Sequence, residues 1–198
     1  MQEAKDVLVA VTGASGAIYA DRLLRTLSGL VPRIGMVISP EAAQIASEEL
    51  GWAIDYDTLQ ITGIPEQVKA RLHLYQPDDF SAPYASGSGA PDAMIVAPCT
   101  IGTAGHIASG LNDTLIHRSA GVCLKERRPL VLVMRESPLG LIDLRNLVTL
   151  AEAGATIMPA APAYYAQPKT LEQLVDFFIV RVLDQIGLHT KHPGRWGG

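Results

Sequence analysis

Cysteine is nearly absent: the 198 residues contain two, Cys99 and Cys123. So few cysteines exclude a disulfide framework and a paired-cysteine metal motif, and they fit a reducing cytoplasm. Charge is scarce as well, at 18% of residues, where an average soluble domain has about 25%. A surface this poor in charge points to coverage by further copies of the chain, so a homo-oligomer is expected. The charge that is present has the wrong sign for a phosphate backbone: 16 Lys and Arg against 20 Asp and Glu give a net −4, and nucleic acid is dropped as a partner. Low-complexity and long charged tracts are missing while 48% of residues are apolar, which excludes a disordered chain. No apolar run is long enough to span a bilayer, and the segment Met1 to Asp6 has no basic character before its apolar stretch, so neither membrane span nor signal peptide is expected. Without an internal repeat or linker, residues 1–198 read as a single domain.

What is present is a run of short apolar strands, each followed by a helical pattern. Val7 to Val11 is β-branched and apolar, turns at Thr12-Gly13-Ala14-Ser15-Gly16, and gives way to a helix with Leu23, Leu24 and Leu27 on one face. Arg33 to Ser39 repeats the pattern, with Pro40 suited to the first turn of a helix that runs to Leu50. Gly51 to Ala70 reads as loop and helix, Arg71 to Tyr75 as a short strand, and Asp78 to Pro91 as a functional loop rich in Pro, Gly and Ser. Ala93 to Ala97 is apolar without alternation, as in a parallel strand covered on both faces, and Pro98 is expected to end it. Helices over Thr100–Ser109 and Asp113–Glu126, a strand over Pro129–Met134, a helix near Ile142–Ala153, a strand near Ala155–Met158, a Pro/Tyr loop over Pro159–Lys169 and a last helix over Leu171–Ile186 complete the pattern. The expected fold is α/β: a three-layer, doubly wound, mainly parallel sheet of Rossmann-like type.

In such a sheet, ligands bind where strands end and helices begin. The turn Thr12 to Gly16 offers backbone N–H groups and a helix dipole to an anion such as phosphate. The dinucleotide fingerprint Gly-x-Gly-x-x-Gly is absent, and the second strand ends in Ser39 where NAD would need a carboxylate on its ribose, so the pattern favours a mononucleotide such as FMN. Two other motifs fail on inspection. Tyr165 and Lys169 have dehydrogenase spacing, but Pro168 between them breaks the helical face that the pair requires. Ser15 resembles a nucleophile elbow, but Gly-x-Ser-x-Gly fails at Ala17. His189 and His192 read as a solvated tail and no metal site is expected; His73, His106 and His117 read as satisfied polar side chains without a catalytic role. Among the basic residues Arg118, Lys125, Arg127, Arg128, Arg135 and Arg181, Arg127 and Arg128 read as partners of a helix C-terminus, whereas Arg135 follows a buried strand and points into the expected crevice. Arg181 shares a helix with Leu174, Val175, Phe178 and Val182 and reads equally as a ligand or an interface arginine.

The turn Thr12 to Gly16, Ser39, the loop Ala85-Ser86-Gly87-Ser88, the strand end Ala97-Pro98-Cys99-Thr100, the block Leu124 to Val133 and the loop Pro162-Ala163-Tyr164-Tyr165 occur in one order. Together they make the chain resemble the flavin prenyltransferases of UbiX type over nearly its whole length. The resemblance implies an enzyme that joins a dimethylallyl group from dimethylallyl phosphate to N5 and then C6 of reduced FMN, without metal, forming prenylated FMN. It implies a UbiD-type decarboxylase as recipient of the product, and a homododecamer with active sites at subunit junctions. Carried over by position, Gly13, Ala14, Ser15, Ser39, Thr100, Ile101, Gly102, Thr103 and Arg135 are FMN-binding; Lys125, Tyr165 and Arg181 hold the prenyl phosphate; and Lys125, Glu136 and Ser15 serve the catalytic step. Trp196 matches a tail aromatic that covers the site. An ungapped reading places the family's second-helix glutamate at Leu50, beside Glu48 and Glu49, and Asp113 stands where an asparagine is usual. Two alternatives remain: an FMN-dependent cysteine decarboxylase, whose early histidine and Asn/Met-rich motif are not found, and a non-catalytic flavin carrier, which would lack the phosphate cradle.

Overall fold

A computed structural model describes residues 4–165 and 167–190. Six parallel strands form the central sheet in the order β5-β2-β1-β6-β7-β8. They are β1 (Asp6–Val11), β2 (Arg33–Ile38), β5 (Leu72–Tyr75), β6 (Ala93–Cys99), β7 (Leu130–Met134) and β8 (Thr156–Pro159). The unbroken apolar character of β1 and β6 has a direct cause, since both of their faces are buried. Val7, Val9 and Val11 face one layer and Leu8 and Ala10 the other; Ile95 and Val96 divide in the same way. One layer holds α1 (Ala17–Leu27), α2 (Pro40–Leu50) and α7 (Leu171–Asp184), and the other α4 (Ile101–Ala108), α5 (Leu115–Lys125) and α6 (Leu141–Glu152). Leu23, Leu24 and Leu27 of α1 are fully buried, each stabilising the fold by about 2 kcal/mol through loss of water contact. Arg22 clamps α1 to α7 through two bonds to Asp176 of 2.6 and 2.7 Å. This half-exposed bidentate pair contributes about 1 kcal/mol after solvent screening.

The helix boundaries follow local chemistry. Ser39 caps α2 by accepting from the Ala42 N–H at 3.2 Å, Pro40 opens the helix, and Gly51 closes it at φ +70°. Thr100, Thr114 and Thr170 cap α4, α5 and α7 in the same manner.

Two expectations are corrected. Residues 51–70 contain an antiparallel hairpin, β3 (Ala53–Asp55) with β4 (Gln60–Thr62), before the one-turn helix α3 (Glu66–Lys69). Three-residue strands that are largely exposed carry too little periodicity to be read from sequence. Pro98 does not end β6, which continues to Cys99. The ladder to β7 skips between Val96 and Cys99, so the proline occupies an irregularity where no N–H is demanded of it.

The loop at 78–91 forms two short 3-10 turns, Pro83–Ala85 and Gly87–Gly89. It is pinned by Tyr84, whose buried hydroxyl donates to Asp6 at 2.6 Å. A Cβ on Gly35 would lie 2.5 Å from the Tyr84 ring, so this close approach requires glycine. Helix α6 is the outlier: Leu141, Ile142, Leu144 and Val148 are exposed and only Leu150 is buried. Among the described residues no helix is long and apolar enough to cross a membrane.

Candidate functional site

The chain builds the sheet outward from β1 to β2 and β5, then returns to start again at β6 on the other side of β1. This reversal opens a crevice beyond the carboxyl ends of β1 and β6, the usual ligand position in an open α/β sheet. The two ends are laced together: the Thr12 hydroxyl donates to the Pro98 carbonyl at 3.0 Å and accepts from the Thr100 N–H at 2.9 Å. In the crevice lies a cavity of about 460 Å³ lined by Thr12, Gly13, Ser39, Thr100 and Thr103, with His106 and His117 on its wall. Its hydroxyls and the N-terminal ends of α2 and α4 form a donor set suited to an anion. Gly13, Ser39, Thr100 and Thr103 are thus brought together as expected. Ala14 is buried behind the turn, Ser15 is exposed at its tip, Ile101 packs toward the α4–α5 core, and the Gly102 carbonyl bonds His106.

The turn itself differs from expectation. Its helix N-terminus is occupied from within the protein, because the Glu49 carboxylate accepts from Gly16 N–H at 3.0 Å and Ala17 N–H at 2.8 Å. Helix α1 has no side-chain cap of its own, and Glu49 supplies one from α2. Of the residues at this end of α2, Glu49 reaches the turn, while Leu50 packs against the core.

Arg135 emerges from the end of β7 beside this turn; its N–H donates to Cys99 at 3.1 Å and its Cγ lies 4.0 Å from where a Gly16 Cβ would stand. The same position is 3.2 Å from the Tyr19 ring, and Tyr19 meets Phe178 edge-on at 5.5 Å. Tyr19 thus connects the turn to Phe178 in the wall of a second, open cavity of about 630 Å³ bordered by β8, the loop after it and α7. This cavity is walled by Ile157, Met158, Phe177 and Phe178, with Tyr165 and Arg181 as its polar members. Tyr165 packs edge-on against Phe177 at 5.3 Å. Both Tyr165 and Lys169 precede α7, so they share no helical face and the dehydrogenase pairing is absent.

Lys125 is not with them. It ends α5, just before β7 begins, while Arg135 follows the end of β7. The five residues of that strand separate the two positions by about 16 Å along the sheet. Lys125 approaches Glu126 at 3.9 Å instead, and Glu136, exposed beyond β7, accepts from Ser137 N–H. Cys99 and Cys123 are inert, their thiols pushed up to about 12 by burial, which argues against thiolate chemistry. Trp196 and His192 lie outside the described residues.

Sequence reasoning passed over Tyr19, and it set aside His106 and His117. Tyr19 stands three residues after Gly16, a spacing that returns it to the turn. The histidines carry no comparable signal, since only the packing of α4 on α5 brings them together.

A profile of the flavoprotein family matches residues 1–183. The flavin prenyltransferase UbiX of Pseudomonas aeruginosa is 40% identical over 195 residues, covering 96% of this chain and 93% of that protein. Among solved structures, AnUbiX (PadA1) in complex with FMN and dimethylallyl pyrophosphate superposes with a TM-score of 0.84 at 39% identity, covering 99% of both chains. A dodecameric FMN-dependent UbiX-like decarboxylase from Escherichia coli O157:H7 superposes at 0.86 with 35% identity, covering 98% of this chain and all of that one.

Proposed function

The chain belongs to the flavoprotein family and, within it, to the flavin prenyltransferases of UbiX type, and on that premise we propose how its own residues carry out the transfer of a dimethylallyl group to FMN. The observation that carries the reading is the presence of two unlike cavities in one chain: one lined with hydroxyls and helix N-termini, the other apolar with a tyrosine and an arginine. The first fits a phosphorylated mononucleotide by its donor set. The second fits a short branched hydrocarbon joined to a phosphate.

When bound, reduced FMN would supply N5 and C6 as nucleophiles: the carbon–oxygen bond to phosphate would break as the bond to N5 forms, and the bond to C6 would form as the allyl double bond takes up a proton and C6 loses one. Gly13, Ala14, Ser15, Ser39, Thr100, Ile101, Gly102 and Thr103 hold the flavin, and Arg135 orients it from the end of β7. Tyr165 and Arg181 donate to the departing phosphate, whose charge grows as it leaves. Ile157, Met158, Phe177 and Phe178 exclude water and offer no nucleophile to the cation-like allyl fragment, while the aromatic faces stabilise its charge. Ser15, Glu49 and Glu136 lie at this end of the sheet and would take the protons lost from N5 and C6 and deliver one to the allyl double bond.

Lys125 serves the same phosphate from a second copy of the chain, because within one protomer it stands at the far end of β7. The exposed Leu141, Ile142, Leu144 and Val148 of α6 are then covered by neighbouring copies in a homododecamer, in keeping with the low charge of the whole surface. Ile142→Asp is expected to dissociate the assembly in size-exclusion chromatography with light scattering; an unchanged mass would remove α6 from the interface. Dimethylallyl phosphate is the donor in this reading, and a UbiD-type decarboxylase receives the product. A flavin carrier would have no use for Tyr165 and Arg181 at an apolar cavity. The direct test is anaerobic incubation with reduced FMN and either dimethylallyl phosphate or the diphosphate, followed by mass spectrometry of the extracted flavin. A gain of one C5 unit is expected with the monophosphate; flavin left unmodified by both donors would overturn the reading.

A further inference from the structure

We propose that His117, with His106 stacked on it and Asp113 between them, forms a proton-dependent clamp for the terminal phosphate of FMN and so favours FMN over riboflavin increasingly as pH falls. This deepens the flavin reading above and rests on it.

The clamp is built from three segments. His106 projects from α4, Asp113 from the α4–α5 loop and His117 from the first turn of α5. The two rings lie parallel within 7° at a centroid distance of 4.7 Å. The Asp113 carboxylate spans them, one oxygen 2.7 Å from His117 Nδ1 and the other 3.5 Å from His106 Nε2. His106 Nδ1 lies 2.9 Å from the Gly102 carbonyl, so both nitrogens of that ring face oxygen acceptors and the ring is held in place against His117. Both rings line the cavity that Ser39, Thr100 and Thr103 share. Those hydroxyls, with the α2 and α4 N-termini, mark this cavity as the phosphate end of the flavin site.

Hydrogen-bond roles decide what His117 can do there. With its Nδ1–H given to Asp113, a neutral His117 leaves only a lone pair on Nε2, which repels an anion. A second proton converts Nε2 into a charged donor, the stronger kind of phosphate contact. Without ligand, burial and the neighbouring His106 hold the His117 pKa below its ordinary value, outweighing the raising effect of Asp113. A phosphate in the cavity offsets that burial penalty, so binding takes up a proton. The charged and titratable neighbours are few. Asp113 and His106 act on the ring directly, Glu41 from the first turn of α2 lines the same cavity, and α6 brings the uncharged Asn146 amide to α4 near Gly105. Arg118, next on α5, is turned away to the Ala85 carbonyl at 2.9 Å.

The test titrates the flavin-free full chain with FMN and with riboflavin, each at about pH 6 and about pH 8, for the wild type, His117→Gln and His106→Gln, with circular dichroism to verify folding. One linked proton changes a dissociation constant by up to about tenfold per pH unit. The phosphate's own second ionisation near about pH 6 opposes this, but it is common to all three proteins. The wild type is expected to bind FMN about fivefold to tenfold tighter at the lower pH relative to the same ratio in His117→Gln, with His106→Gln between them and riboflavin indifferent to pH. Equal FMN ratios in the wild type and both variants, or a riboflavin ratio that matches FMN, would overturn the clamp while leaving flavin binding intact. If the wild type bound no FMN at either pH, the flavin reading would fall first and the clamp with it.

Discussion

The cavity beyond β1 and β6 and the cavity against α7 are built on opposite principles. The cavity at the ends of β1 and β6 is made of backbone and short hydroxyls: Thr12, Ser39 and Thr100 each directly follow a strand end, and Thr103 stands in the first turn of α4. The cavity under α7 is made of long side chains from β8, the loop after it and α7, with one cation and one phenol among aliphatic and aromatic walls. The first can be rigid because every group that would meet an anion is already fixed by a cap or a ladder bond. The second derives its selectivity from what it excludes, water above all, and from where it places a single positive charge. A transferase that joins a phosphorylated cofactor to a hydrocarbon needs both, side by side.

The largest effect should come from removing that charge. Arg181→Ala is expected to lower kcat/KM for prenyl transfer by about 10²-fold to 10³-fold, while the dissociation constant of FMN stays within about twofold. Equal losses in both would mean that the cavities are not separate sites. Next, mixed oligomers of Lys125→Ala and Arg181→Ala should recover activity that neither variant shows alone, because some sites then contain both native residues. No recovery on mixing would return Lys125 to its own protomer.

Thr100→Val tests the polar cavity from the other side. Losing the α4 cap costs about 1 kcal/mol of stability and an anion ligand, so FMN should bind about tenfold weaker with the KM for the prenyl donor unchanged. A KM that rose with it would join the two cavities energetically.

The smallest effect concerns pH and the flavin-free protein. The His117 pKa is held below its ordinary value by burial, so its contribution to stability is present above about pH 6.5 and is lost as pH falls through the lowered value. The bond from His117 holds the Asp113 carboxyl below the usual carboxylate range, so its contribution is lost only in stronger acid. Between about pH 7.5 and about pH 5.5, the melting temperature should therefore drop about 1–2 °C more in the wild type than in His117→Gln. Parallel curves would show that His117 pays no burial penalty in the empty cavity.

Much of the fold could be read because its signals are local. Helix α2 was legible from Pro40 to Leu50 because its opening proline lies within the segment, while the Ser39 cap and the closing Gly51 were found only in the structure. Ser39 and Arg135 could be read as candidate ligand positions because a strand end places them whatever surrounds it, whereas Thr100 entered only through the resemblance. The hairpin at 53–62 was not legible, being two three-residue strands with mostly exposed side chains. Which of Glu48 and Glu49 meets the turn was not legible, because a helix face is fixed only by what it meets, and the partner of Glu49 is the turn 33 residues earlier.

By itself the sequence determined the alternation of buried parallel strands and helices, and the family. The tertiary structure alone decided how the strand and helix ends are used. It closed the α1 N-terminus with Glu49 and left those of α2 and α4 to the cavity, set Lys125 and Arg181 at different parts of the protomer, and stacked His106 on His117. The physical reason is range. Caps and strand patterns act over a few residues of backbone, whereas these outcomes depend on which helices pack together, and that is settled only when the sheet closes its two layers.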